Sequence, residues 1–161
     1  MSGYKEITRK IITLQEAEEL FTHEFRLKNR IVFTNGCFDL LHRGHVYYLS
    51  RAREMGDVLV VGLNSDSSVS KLKGANRPVN DQQARAEVLG ALTSVSYIIV
   101  FPEETPLNLI CTVKPHFLVK GGDYKEEDIV GFSEVISWQG EVQTIPLLKG
   151  YSTSSILKKS T

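Results

Sequence analysis

Residues 31–45 read Ile31-Val32-Phe33-Thr34-Asn35-Gly36-Cys37-Phe38-Asp39-Leu40-Leu41-His42-Arg43-Gly44-His45. The first four are a short β-type run, and Asn35-Gly36 is a turn signal that stops it. A helical pattern follows from about Arg43 to Met55, ended by Gly56-Asp57. Next comes Val58-Leu59-Val60-Val61-Gly62-Leu63, apolar throughout. Such a run suits a strand of a parallel sheet with helices on both faces.

The alternation continues on both sides of this unit. Downstream, helices are expected over Asp81–Leu92, Thr105–Val113 (with Pro106 in its first turn), Glu127–Ser137 and Ser152–Lys159. Strands are expected at Tyr97–Phe101, His116–Val119 and Val142–Ile145. Upstream, Thr13 and Glu16 form a capping box ahead of Leu14, Ala17, Leu20, Phe21 and Phe25, which predicts an N-terminal helix over about 13–28. Five strands alternating with helices predict an α/β fold, a Rossmann-like doubly wound five-stranded parallel sheet. With no internal repeat and no Pro/Gly/Ser-rich linker, residues 1–161 are expected to form a single domain. Ligands of such sheets sit beyond the carboxyl ends of the strands, at the switch point, so the end of the first strand is where to look.

There, two histidines three apart straddle a glycine at the start of a helix. At that spacing both imidazoles lie on one side of the first turn. The free backbone N–H groups and the helix dipole point the same way, which makes an anion cradle with two proton-carrying donors. Gly44 removes a side chain where a phosphate would approach the backbone, and Asp39 can hydrogen-bond loop amides and fix the cradle's shape. Plainer readings exist. Each histidine could be a satisfied or solvated residue, Cys37 with His42 and His45 could ligate zinc without a clear fourth ligand, or Cys37 could be a nucleophile activated by His42. No Gly-x-x-x-x-Gly-Lys-Ser/Thr and no Gly-x-Gly-x-x-Gly is present, which argues against P-loop and dinucleotide-dehydrogenase chemistry.

Three more clusters follow strand ends. Asn64-Ser65-Asp66 is followed by Lys71, Lys73-Gly74 and Arg77-Pro78; the lysines before a glycine read as a mobile basic loop suited to phosphate, or as a solvated loop. Val119-Lys120-Gly121-Gly122-Asp123-Tyr124 is a turn, or a backbone edge open to a flat nucleobase. Gly150-Tyr151-Ser152-Thr153-Ser154-Ser155 is a hydroxyl-rich helix start, able to cap a helix, bind phosphate, or both.

Composition limits the partners. Lys plus Arg and Asp plus Glu each number 19, for a formal net charge of zero, so an extended nucleic-acid or membrane-binding surface is not expected. Any polyanion chemistry must be local; around the cradle, segments 42–45 and 71–85 hold Arg43, Lys71, Lys73, Arg77 and Arg85 against only Asp81. Two cysteines, Cys37 and Cys111, make no disulfide framework, and no signal core or membrane span is evident, so a cytoplasmic protein is the expectation.

Taken together, the clusters resemble the cytidylyltransferase-like nucleotidyltransferase superfamily, with its His-x-Gly-His after the first strand and Ser/Thr-rich stretch near the end. The similarity is closest to the ADP-heptose synthase adenylyltransferases. It is carried by residues 34–39 with His42 to His45, by Asn64-Ser65-Asp66, and by Lys73-Gly74 with Arg77-Pro78-Val79. Thr105-Pro106, the stretch Leu118 to Tyr124, and Ser152-Thr153 complete it, over about residues 10 to 159. The resemblance implies transfer of AMP from ATP to heptose 1-phosphate, with magnesium as cofactor. It implies that His42 and His45 stabilise the triphosphate charge and that Lys73 holds the triphosphate. Cys37, Phe38, Asp39 and Gly44 would then belong to the nucleotide site. Gly122, Asp123 and Tyr124 would lie near the base, and Ser152, Thr153 and Ser154 on the β- and γ-phosphates. Asn64, Asp66, Lys71 and Arg77 would serve the sugar phosphate. The alternatives are a cytidylyltransferase acting on glycerol 3-phosphate or a similar alcohol phosphate, and a catalytically silent nucleotide-binding module. A homodimer or higher homo-oligomer is expected from the resemblance, and no kinase half is seen, so the sugar phosphate is expected from a separate enzyme. Two positions depart from related cytidylyltransferases: Leu147 stands for an Arg, with Lys149 a possible substitute, and Ser96 stands for an Asp.

Overall fold

The computed structural model describes residues 3–122, 124–151, 153 and 156. Five strands, β1 (Ile31–Gly36), β2 (Val58–Asn64), β3 (Tyr97–Phe101), β4 (Phe117–Gly121) and β5 (Glu141–Ile145), form one sheet in the order β3-β2-β1-β4-β5. Every pairing is parallel, as the apolar runs predict. Successive side chains of β1 go to opposite faces. Ile31 and Phe33 pack with Val60, Ile99 and Leu118 on one side, while Val32 joins Leu59, Val61, Ile98 and Val119 on the other.

The helices among the described residues are α1 (Gly3–Thr8), α2 (Leu14–Leu20), α3 (His23–Lys28), α4 (Arg43–Arg53), α5 (Asp66–Lys73), α6 (Gln82–Gly90), α7 (Leu107–Val113) and α8 (Phe132–Ser137). The capping box forms: Thr13 Oγ1 accepts from Glu16 N, and Glu16 Oε2 accepts from Thr13 N at 2.7 Å. The single helix expected over 13–28 is instead two. Phe21 turns into the core at 5 % exposure and leaves helical geometry, and Thr22 caps a second helix through Phe25 N. The expected polar lead contains a helix of its own, α1. After it Ile11 bridges to Ile98, so the N-terminal segment covers the outer edge of β3. The helix expected over Glu127–Ser137 divides into a 3-10 turn, Glu126–Asp128, and α8, with Gly131 between them. The final helix expected over Ser152–Lys159 falls almost wholly outside the described residues.

The basic stretch read as a mobile loop is helix α5 up to Lys73. Ser65 caps it by accepting from Ser68 N, Asp66 stands in its first turn, and Lys71 and Lys73 sit by the carbonyl end of the dipole. Gly74 ends it at φ 103°, a conformation that an L side chain rarely adopts. Ser96, where the resemblance led to an Asp being expected, has a structural role. Its Oγ accepts from Leu59 N at 3.1 Å, extending the β2–β3 ladder.

β1 is central and the chain leaves it in both directions, to β2 and, later, to β4. This makes the β1/β4 boundary the switch point of the sheet. β1 stays in register with β2 for six residues, to Gly36 opposite Leu63, but with β4 for only two, Val32–Phe117 and Phe33–Leu118. Beyond these the two strands part. Tyr48 of α4 closes the lower part of the gap: its hydroxyl lies 2.6 Å from Thr34 Oγ1 and donates to Val119 O at 3.1 Å. Above it opens a cleft of about 620 Å³.

Candidate active site

The cleft lies over the carboxyl ends of β1, β2 and β4, and the motif residues line it: Cys37, Phe38, Asp39, His42, Gly44 and His45. His42 is the N-cap of α4, and its Nδ1 accepts from Gly44 N at 3.1 Å. With Nδ1 occupied as an acceptor, the neutral ring carries its proton on Nε2, free to donate to a ligand. His45 stacks on His42 with ring centroids 3.9 Å apart, and Phe38 supports it from another side at 5.3 Å. Burial lowers the His42 pKa; for His45, burial, then His42, then Lys73 push it down to about 4. His45 Nδ1 is buried with no hydrogen-bond partner among the described residues. An acid or an anion at this place would supply what the ring lacks.

Gly44 is where the first turn and the ring meet. A Cβ there would lie 2.9 Å from His42 Cε1 and 3.0 Å from Nδ1, so only glycine leaves the imidazole its seat.

Asp39 lines the cleft, and its carboxylate holds the loop around Arg77. It is 4 % exposed, and its carboxylate accepts from Arg77 Nε at 2.6 Å, Val79 N at 2.8 Å and Asn80 N at 3.2 Å. Burial alone would raise its pKa, but these bonds from Arg77 and the two amides hold it below the usual carboxylate range. The reading of Asp39 as a residue that fixes loop amides matches this geometry. Arg77 lines the cleft but is already paired with Asp39.

Arg85, noted in the sequence only as part of the basic cluster, proves to be the joint of the site. It is 2 % exposed, donates to Cys37 O (2.6 Å), Asn64 O (2.8 Å) and Asn80 O (3.0 Å), and pairs with Asp66 at 2.8 Å. Four residues from three separate stretches are thereby tied to one guanidinium, whose planar fork suits such a junction. Asn80 O lies in the loop that Asp39 holds, so the two clamps share a strap.

The structure does not bring every expected residue to the cleft. Lys73 and Asn64 line it; Lys71 and Asp66 do not. Positions two apart on a helix point in different directions, so once α5 forms only one of the two lysines can face the site. Asp66 is engaged by Arg85. Tyr124 and Thr153 line the cleft, and Gly122 turns the chain ahead of Asp123 at φ 116°. Asp123, Ser152 and Ser154 lie outside the described residues. Leu147 lines the cleft and Lys149 does not. Burial pushes the Cys37 thiol up against the pull of Lys73 and Arg85, so the sulfur stays protonated at neutral pH, which removes the basis for the nucleophile reading. No group of three or more His, Cys, Asp or Glu among the described residues could hold a metal ion. Among the described residues the cleft's carboxylates are Asp39, already taken, and Glu104, and these two side chains do not fit a protein-built magnesium site. No helix among them is long and apolar enough to cross a membrane.

The chain is similar to known proteins in sequence and in fold. A family model described as cytidylyltransferase-like matches residues 33–159. The chain is 52 % identical over 150 residues to "Bifunctional protein HldE" of Campylobacter concisus, covering 93 % of this chain and 30 % of that protein. It is 49 % identical over 154 residues to the protein of that name from Syntrophotalea carbinolica, covering 96 % and 31 %. The chain thus spans about a third of the length of these relatives. Among solved structures, the lipopolysaccharide core biosynthesis protein of Thermoplasma volcanium superposes with a TM-score of 0.62 at 26 % identity, covering 77 % of this chain and 99 % of that one. A pantothenate synthetase of Thermus thermophilus shares the fold at 18 % identity and a TM-score of 0.61, covering 92 % and 70 %.

Proposed function

Because the chain belongs to the cytidylyltransferase-like family, we propose that its cleft moves AMP from ATP to D-glycero-D-manno-heptose 1-phosphate, releasing pyrophosphate and forming ADP-heptose for bacterial lipopolysaccharide or related surface glycans. The observation that carries this reading is the stacked His42–His45 pair at the head of α4, beside the switch point of the sheet. An oxygen of the sugar phosphate attacks the α-phosphorus of ATP. The bond from that phosphorus to the bridging oxygen breaks, and pyrophosphate leaves with the electron pair. The attacking oxygen is already ionised, so no protein nucleophile or base is required. Alignment and charge stabilisation do the work.

Each donor has a place in that scheme. His42 Nε2–H donates to the polyphosphate, its orientation held by Gly44 N. His45, neutral in the free protein, gains a reason to hold a proton once phosphate charge arrives. Lys73 faces the same region and meets the triphosphate, while Arg77 keeps Asp39 from repelling it. Cys37, Phe38 and Gly44 contribute the loop and turn on which the phosphates rest; Tyr124 borders the base and Thr153 the distal phosphates. The sugar phosphate lies towards Asn64. Lys71 and Asp66, turned elsewhere, take no direct part. Magnesium would reach the cleft bound to the triphosphate, where it would neutralise phosphate charge beside Lys73.

A panel of ATP or CTP against both anomers of heptose 1-phosphate and against glycerol 3-phosphate, read as pyrophosphate release, tests the assignment. ATP with one heptose 1-phosphate is expected to lead. Faster turnover of CTP with glycerol 3-phosphate would replace it with the alcohol-phosphate cytidylyltransferase reading.

A further inference from the structure

Above the Tyr48 hydroxyl, a second side chain crosses the gap between the parted strands. Lys120 of β4 donates from Nζ to Asn35 Oδ1 at 3.0 Å and lies 3.4 Å from Asn35 O. It lines the cleft, and burial lowers its pKa from the ordinary lysine range. No carboxylate among the described residues pairs with it; Asp39 and Asp66 are held by Arg77 and Arg85. An ammonium has three donors, and Asn35 takes at most two. A lysine sheltered from water without a counter-ion is costly to the fold unless something anionic comes to it.

Its position says what that anion is. Lys73 at the end of α5 and Lys120 on β4 line the same cleft as Cys37, so the two ammonium groups flank the loop after β1, one from the β2–α5 side and one from the β4 side. A phosphate seated over that loop at the switch point meets both. We propose that Lys120 is a second catalytic cation, held across the β1–β4 gap by Asn35 and donating its remaining N–H to a phosphate oxygen at the reacting centre. The inference rests on the reading of the cleft as a nucleotidyl-transfer site. The oxygen belongs either to the α-phosphate of ATP or to the acceptor's phosphate, and the two sources are separable.

Two variants test it. Lys120→Met removes the charge and the donors, and Lys120→Gln removes the charge but keeps an N–H for Asn35. Both are expected to melt near the wild-type temperature, because a half-buried charge without a counter-ion has gone while one hydrogen bond to Asn35 is lost or weakened. Both are expected to lose ~100-fold or more in kcat/KM, as for a removed transition-state donor. Calorimetric titration with ATP and, separately, with heptose 1-phosphate identifies the source: the ligand whose Kd weakens by ~10-fold, about 1.4 kcal/mol, is the one Lys120 touches. Turnover of Lys120→Gln within ~3-fold of wild type would overturn the proposal, leaving Lys120 a strut for Asn35. Failure of both variants to fold would overturn it too. Should the wild-type protein bind ATP yet release no pyrophosphate with heptose 1-phosphate, the reaction assigned above falls, and the comparison of ATP affinities still judges Lys120.

Discussion

Replacing Gly44 by alanine separates the fold's needs from the site's. Alanine stabilises a helix interior relative to glycine by about 0.8–1.0 kcal/mol, an upper bound for Gly44 in the first turn of α4, where no positive φ would strain another residue. Stability alone would therefore favour the change. The added methyl, however, would stand 2.9 Å from His42 Cε1, against an optimal carbon–carbon separation of roughly 3.5–4.0 Å. The ring must retreat by ~0.6–1 Å, giving up its bond from Gly44 N and its stack on His45. Losing that cap costs about 0.5–2 kcal/mol, which roughly offsets the gain in propensity. Net stability should thus change by ~1 kcal/mol or less, a Tm shift of about 2–4 °C for a chain of this size. Catalysis has no such offset, since a misplacement of ~1 Å can lower turnover by about 100-fold. Pyrophosphate release and thermal unfolding, measured on the same preparation, give both numbers. A Gly44→Ala protein that turns over within ~3-fold of wild type would refute the reasoning, because the close approach would then be dispensable.

Two further outcomes follow from the histidine pair. His42→Ala and His45→Ala should each fold, as seen by circular dichroism, and each lose ~100-fold or more in rate; near-wild-type turnover in either would remove that ring from the mechanism. The pKa of His45 near 4 lies below the unfolded value of about 6.5, so between these values the unfolded chain binds more protons than the native one. Its contribution to stability is complete above about pH 6.5 and is lost as pH falls towards 4, with His42 and His116 acting in the same direction. Melting temperature should fall across that window, and less steeply in the His45→Ala protein. An identical slope in the two proteins would contradict the assigned environment of the ring.

What could be read from the sequence was whatever depends on local pattern. Tyr97–Phe101 is a strand with the expected bounds, because an apolar run between turn signals needs no tertiary information. The cradle was legible for a related reason: strand, turn, cap and helix start are contiguous, so His42 and His45 meet within one turn. Other features depend on groups far apart in the chain. Nothing in residues 71–74 shows that Ser65 and Gly74 close a helix around two lysines, and this misplaced Lys71. Phe21 breaks the N-terminal helix because the core takes its ring, which packs edge-on against Tyr97 of β3 as well as against neighbouring Phe25. Arg85 and Lys120 are cations that composition would put in water. Their burial follows from carbonyls and an amide supplied by segments up to 85 residues away.

The first turns of α2 and α4 show one device used in two ways. In α2, Thr13 at the N-cap and Glu16 at the third helical position reach towards each other and satisfy the helix's own amides from both sides. His42 and His45 occupy the same two positions of α4, and His42 makes the cap's usual bond back to the backbone. The second partner, though, is a ring that does not return to the cap: it lies flat against the first with its own nitrogen unmet. The spacing of the motif is thus the spacing of a capping box, half closed for the helix and half left open for the ligand. One residue more or fewer between the histidines would turn the second ring about 100° around the helix axis, away from the first.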